Sequence, residues 1–164
     1  MALSWMHDSS CSVTRSLGVL GENWTLLILR EALTGTTRFA DFRSALGVAA
    51  DVLSRRLTTL VEYGVMYREP YQEPGSRTRY AYHLTDAGRE LEVVLGALQQ
   101  WGDRHLPWSD GPTIERRAQR TQRPVHVAFV DDHGYEVPWV DVATVRTPAY
   151  PSEEPTEESG GAAN

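Results

Sequence analysis

Lysine is absent from the 164 residues, and cysteine occurs once, as Cys11. A single thiol excludes an internal disulfide and any multi-thiolate metal cluster, and with them a stapled secreted scaffold and a zinc-finger core. No apolar run approaches the roughly 20 residues of a membrane-spanning helix, and the start MALSWMHDSS lacks both a basic stretch and an apolar signal region. The expectation is a cytoplasmic protein with no membrane partner. No G-x-S-x-G, Gly-rich phosphate loop or paired-acid motif occurs, and His7, His83, His105, His126 and His133 show no metal-ligand spacing. Asp131, Asp132 and His133 read as turn residues. The sequence therefore points away from an enzyme and offers neither a cofactor nor a metal site. Its length excludes a large multidomain enzyme, and 41% hydrophobic residues suffice for one core.

Basic charge is also scarce overall, since the formal net charge is −6. Its location matters more than its sum. Residues 11–105 carry 11 Arg and 11 acids, whereas residues 106–164 carry 5 Arg and 10 acids. The acidity belongs to the tail. Residues 36–80 hold 7 Arg against 5 acids, a mildly basic stretch. An arginine fork suits phosphate, but all-Arg usage also follows from a base-composition bias.

What is present reads first as helices. Val13, Leu17 and Leu20 share one face of a segment ended by Gly21. In NWTLLILREALTG, Trp24, Leu27, Ile28 and Leu33 form an apolar stripe that Gly35 stops. RFADFRSAL places Phe39, Phe42 and Leu46 together, and Gly47 turns the chain. From about Ala49 to Tyr63, Leu53, Leu57 and Leu60 recur at helical spacing opposite Asp51, Ser54, Arg55, Thr58 and Glu62. The pattern then becomes extended: VMYREPY and RYAYHLT are strands around the turn-forming QEPGSRT. Thr85 caps a long fifth helix, DAGRELEVVLGALQQWGDRH. A short hairpin is expected in PVHVAFVDDHGYEVPWVDV, which must pack on the main domain because such a unit is marginal alone. The last residues are Pro-, Glu- and Ser-rich and read as disordered. These features divide the chain into an N-terminal arm (1–10), a main domain (11–108), a small β extension (109–147) and an acidic tail (148–164).

Three helices, the last two joined by a Gly-bearing turn and followed by a hairpin with basic residues at its tip, describe a winged helix-turn-helix. The fold class is mainly α with a β-hairpin wing, that is α+β. A helix about 12 Å across fits the major groove of duplex DNA, and the hairpin reaches an adjacent groove or phosphate run. The candidate reading positions are Ala49, Ala50, Asp51, Ser54, Arg55 and Thr58. Arg38, Arg43, Arg77 and Arg79 are the candidate phosphate contacts.

The segments CSVTRSLGVLGENWTLLILREALTG, RFADFRSALGVAADVLSRRLTTLVEYGVMYREPYQEPGSRTRYAYHLTDAGREL and LGALQQWGDRHLP resemble the HxlR family of bacterial winged-helix regulators, related in fold to MarR-type proteins. The resemblance runs from Cys11 to Pro107. It implies a homodimeric DNA-binding regulator, by preference a repressor, whose first and last helices build the dimer interface. It also implies that Cys11 occupies the position of a cysteine that serves some members as a redox or electrophile sensor. The sequence departs from the family at Ala49, Ala50 and Asp51, where relatives open the recognition helix with Ser or a small residue and then Pro, Arg, Lys or Asn. It departs again at Ala81, where many relatives have Glu, and at Ser12, where Pro is frequent. The extension resembles a small zinc-ribbon-like unit of longer members, but VAFVDDHGYEV stands where its cysteines would be, which implies that the metal site is lost.

Two readings of the special residues stay open. Cys11 before a helix start is a thiolate-favouring setting, or a small hydrophobe at an interface. Trp24, Tyr63 and Trp101 line a pocket for a small aromatic effector, or simply pack. Leu91, Val94, Leu95, Leu98 and Trp101 present more apolar surface than a small winged domain covers, so self-association is expected. A rival reading, a winged-helix scaffold that has lost operator recognition and binds a small molecule or protein, draws on Asp51 and the acidic tail.

Overall fold

A computed structural model of the chain describes Met6 and residues 8–151. Most of the expected arm and of the expected acidic tail, and His7, lie outside the described residues. Among the described residues, five helices and two hairpins follow in order: α1 (Ser12–Leu20), α2 (Thr25–Leu33), α3 (Phe39–Leu46), α4 (Ala50–Glu62), β1 (Met66–Tyr71), β2 (Arg79–Leu84), α5 (Asp86–His105), β3 (Phe129–Val130) and β4 (Glu136–Val137). A single 3-10 turn, Trp139–Asp141, comes last. The α+β winged helix-turn-helix is the architecture expected from the pattern.

The core forms where the helical spacing directs it. Leu53, Leu57 and Leu60 of α4 are fully buried with Ile28 and Leu29 of α2 and Phe42 of α3, and Val48, Val65, Met66 and Leu84 close the cluster. Gly47 stops α3 at φ 64°, a left-handed turn that costs a Cβ-bearing residue steric energy. The α2 stripe differs from expectation. Thr25, Ile28 and Leu29 are buried, whereas Trp24 and Leu27 are exposed. The helix begins one residue later than a Trp24 stripe requires, and α3 and α5 pack on its 25/28/29 face.

The wing is a regular antiparallel ladder from Met66 opposite Leu84 to Tyr71 opposite Arg79. Residues 37 and 38 add a minimal third strand: Arg38 bridges to Ala81, and the Tyr82 N–H donates to the Thr37 carbonyl at 2.7 Å. This ties the wing to the start of α3. The Thr85 hydroxyl accepts from the Gly88 N–H at 3.1 Å and donates to the Gly64 carbonyl at 2.6 Å, which fixes α5 against the end of α4. At Gly88 the helix passes so close to β1 that a Cβ would lie 2.2 Å from the Val65 carbonyl oxygen.

Helix α1 has no buried residue; Val19 and Leu20 touch the core, while Val13 and Leu17 face outward. On α5, Leu91 and Leu95 pack inward, and Val94, Leu98 and Trp101 remain exposed. The extension makes a hairpin shorter than the alternating sequence suggested, with two residues in each strand.

Candidate nucleic-acid interface

Because Leu53, Leu57 and Leu60 point inward, the opposite side of α4 must face solvent. Ala49, Ala50, Asp51, Ser54, Arg55 and Thr58 are all exposed there. The structure thus brings the candidate reading positions onto one helical face. The Asp51 carboxylate lies 3.5 Å from the Arg55 guanidinium one turn on, with both groups in solvent. The acid is therefore partly neutralised from within the helix and also sits favourably near the helix start.

The four candidate phosphate arginines separate into two kinds. Arg43 on α3, Arg77 at the wing tip and Arg79 at the start of β2 are exposed and form no ion pair among the described residues. Arg38 is engaged instead. Its guanidinium donates to Glu73 at 3.0 Å and stacks over Tyr71 at 4.8 Å, so it fastens the wing tip to the N-terminus of α3. Sequence separation of 35 residues hid this pair. Arg68, stacked over Tyr80 at 4.7 Å on the wing, was also not singled out by the sequence.

A second missed residue is Arg56. Its side chain is mostly buried, its guanidinium donates to Glu22 at 2.8 Å, and its Nε is buried without a partner among the described residues. The signal was present: position 56 is three residues after Leu53 and next to Leu57, and an arginine on that apolar edge needs an acid. Glu22 belongs to the loop between α1 and α2, where Trp24 adopts a left-handed backbone at φ 78°. Glu22 and Arg56 border a polar recess of about 410 Å³ with Ser54, Arg55, Thr58 and Thr59. Helix α4 is thereby tied to the loop that leads from α1.

Cys11 is exposed at the N-cap of α1. Hydrogen bonding from the Thr14 side chain, then from the Thr14 and Val13 backbone, holds the thiol below its ordinary range, and Arg15 adds a small push in the same direction. Trp101 lines a cleft of about 1280 Å³ between α5 and the extension, and neither Trp24 nor Tyr63 borders it. Trp24 immediately precedes α2 and Tyr63 ends α4.

A model described as the HxlR-like helix-turn-helix matches residues 19–110. The chain belongs to this family. Among curated relatives, the HTH-type transcriptional regulator Rv3095 of Mycobacterium tuberculosis is 47% identical over 106 residues, covering 65% of this chain and 66% of that protein. The match thus spans just under two thirds of the relative's length. Among solved structures, PA1607, a candidate transcription factor, is 34% identical with a TM-score of 0.75, covering 88% of this chain and 100% of PA1607. That coverage reaches past residue 110, so the likeness extends into the C-terminal extension. The redox regulator HypR in its reduced form is 27% identical with a TM-score of 0.52, covering 58% of this chain and 96% of HypR. The chain is an HxlR-like helix-turn-helix protein. No helix among its described residues is long and apolar enough to cross a membrane.

Proposed function

We propose that the chain is a cytoplasmic homodimeric regulator that binds a pseudo-palindromic site in double-stranded DNA and represses transcription there. The observation that carries the reading is the single exposed face of α4, bearing Asp51, Ser54, Arg55 and Thr58, beside a wing whose tip holds Arg77 and Arg79. Two copies of one reading helix on a two-fold axis require two inverted half-sites. Residues 11–108 form the reading and dimerisation unit and residues 109–147 its extension.

Arg43, Arg77 and Arg79 supply phosphate contacts, and α4 supplies base contacts. Arg38 acts first as the fastening of the wing. The internal Asp51–Arg55 pair removes much of the reason to read Asp51 as a bar to DNA. Control is assigned to a thiol-reactive effector acting at Cys11, supported by the exposed, acidified thiol and by the likeness to a redox regulator. A small aromatic effector is the alternative; of Trp24, Tyr63 and Trp101, the last borders the 1280 Å³ cleft.

The test is a gel shift on the fragment upstream of the protein's own coding region, with sodium chloride varied. A shift that weakens steeply with salt supports the reading. No shift, or one indifferent to salt, overturns it.

A further inference from the structure

Residues 106–151 contain no buried residue, and their only strands are the two-residue β3 and β4. A segment of this kind has no core to hold it in place. It is fixed on α5 instead. The Gln100 side chain pairs with Val127 in both directions, donating to the carbonyl at 3.0 Å and accepting from the N–H at 2.9 Å. Gln99 donates to the Ile114 carbonyl at 2.7 Å and accepts from Arg116. Gly96 permits this approach, since a Cβ there would lie 3.0 Å from a Val127 methyl.

These anchors hold one edge of the extension and leave the 1280 Å³ cleft open beside it. Trp101, Phe129 and Trp139 line it while remaining 57%, 57% and 72% exposed. Small-molecule sites occupy roughly 300–1,000 Å³ and bury most of their ligand. This cleft is larger and its aromatic walls are bare.

We propose that a second copy of this chain fills the cleft, its α5 lying against Trp101, Phe129 and Trp139, so that the extension forms the outer part of the homodimer interface. The inference rests on the dimer reading above and extends it to a segment outside the 19–110 family region. Area argues for it. The outward parts of Val13, Leu17, Val94, Leu98 and Trp101 amount to on the order of 450 Å², about half of the roughly 800 Å² each partner gives to a stable interface. Phe129 and Trp139 add on the order of 300 Å² and bring the surface near that size. Continuity argues for it too, because Trp101 belongs both to the exposed α5 stripe and to the cleft wall. A two-fold arrangement covers both clefts at once, which a one-sided partner does not.

Sedimentation equilibrium on the full chain tests this with wild type, Leu98→Asp, and the double variant Phe129→Ser/Trp139→Ser, each checked for unchanged helical circular dichroism. The expected result is a wild-type dimer whose dissociation constant rises about tenfold or more in the double variant. A wild-type monomer overturns the dimer reading and this inference together. A dimer broken by Leu98→Asp but untouched by the double variant overturns only the cleft assignment and gives the cleft to another protein or a small ligand. Should the double variant misfold, hydrogen exchange on the wild type decides. Amides 127–137 must gain protection as concentration drives dimerisation, and equal exchange in monomer and dimer refutes the proposal.

Discussion

Arg55 pairs with Asp51 at 3.5 Å in the free protein, and on the function proposed above it turns to a phosphate or base edge on DNA. An exposed pair of this kind is worth up to about 1 kcal/mol, so Asp51→Asn should free Arg55 and raise DNA affinity by up to about fivefold. Fluorescence anisotropy on a bound duplex measures it; a large loss would show that Asp51 reads a base. Cys11 makes a separate prediction. Since hydrogen bonding from Thr14 and Val13 lowers its pKa, more thiolate is present at neutral pH than in a free cysteine, and the alkylation profile should be displaced to lower pH. Iodoacetamide rates against pH check this, with free cysteine as reference. Cys11→Ser should in addition abolish any response of DNA binding to diamide or a quinone. If the variant responds like wild type, the effector acts elsewhere.

The junction between wing and α5 depends on two small residues. Thr85→Ala removes a cap and a bond to Gly64 and should cost roughly 0.5–2 kcal/mol. Gly88→Ala drives a methyl into the Val65 carbonyl and should cost about 1–3 kcal/mol through forced backbone displacement. Denaturant melts measure both, and a neutral Gly88→Ala would contradict the close approach. These elements were legible in the sequence for a local reason. Leu53, Leu57 and Leu60 recur at helical spacing, Thr85 precedes a long apolar-striped segment, and Gly47 marks a turn. Fastenings between distant segments were not legible. Arg38 and Glu73, or Glu22 and Arg56, meet only because the wing folds back on α3 and the α1–α2 loop lies beside α4. Trp24 misled for a related reason: its hydrophobicity suggested the core, but its left-handed backbone sets it outside the helix.

For the whole molecule, the uneven charge matters more than the net −6. The acids of the C-terminal region lie apart in sequence from the 36–80 stretch that carries Arg43, Arg77 and Arg79. Taking one arginine away from a phosphate should reduce the slope of log affinity against log salt by about 1, so Arg77→Ala/Arg79→Ala should flatten it by about 2 without changing sequence preference. Binding at a single salt concentration does not separate that outcome from misfolding. On the function proposed above, the exposed face of α4 reads duplex DNA as a pair. Selection of the full chain against a random-sequence duplex pool, in parallel with a Ser54→Ala/Arg55→Ala/Thr58→Ala variant, tests it most directly. The predicted result is enrichment by wild type of inverted half-sites about 10 base pairs apart, abolished in the variant. No enrichment by wild type, or the same motif from both proteins, would contradict it.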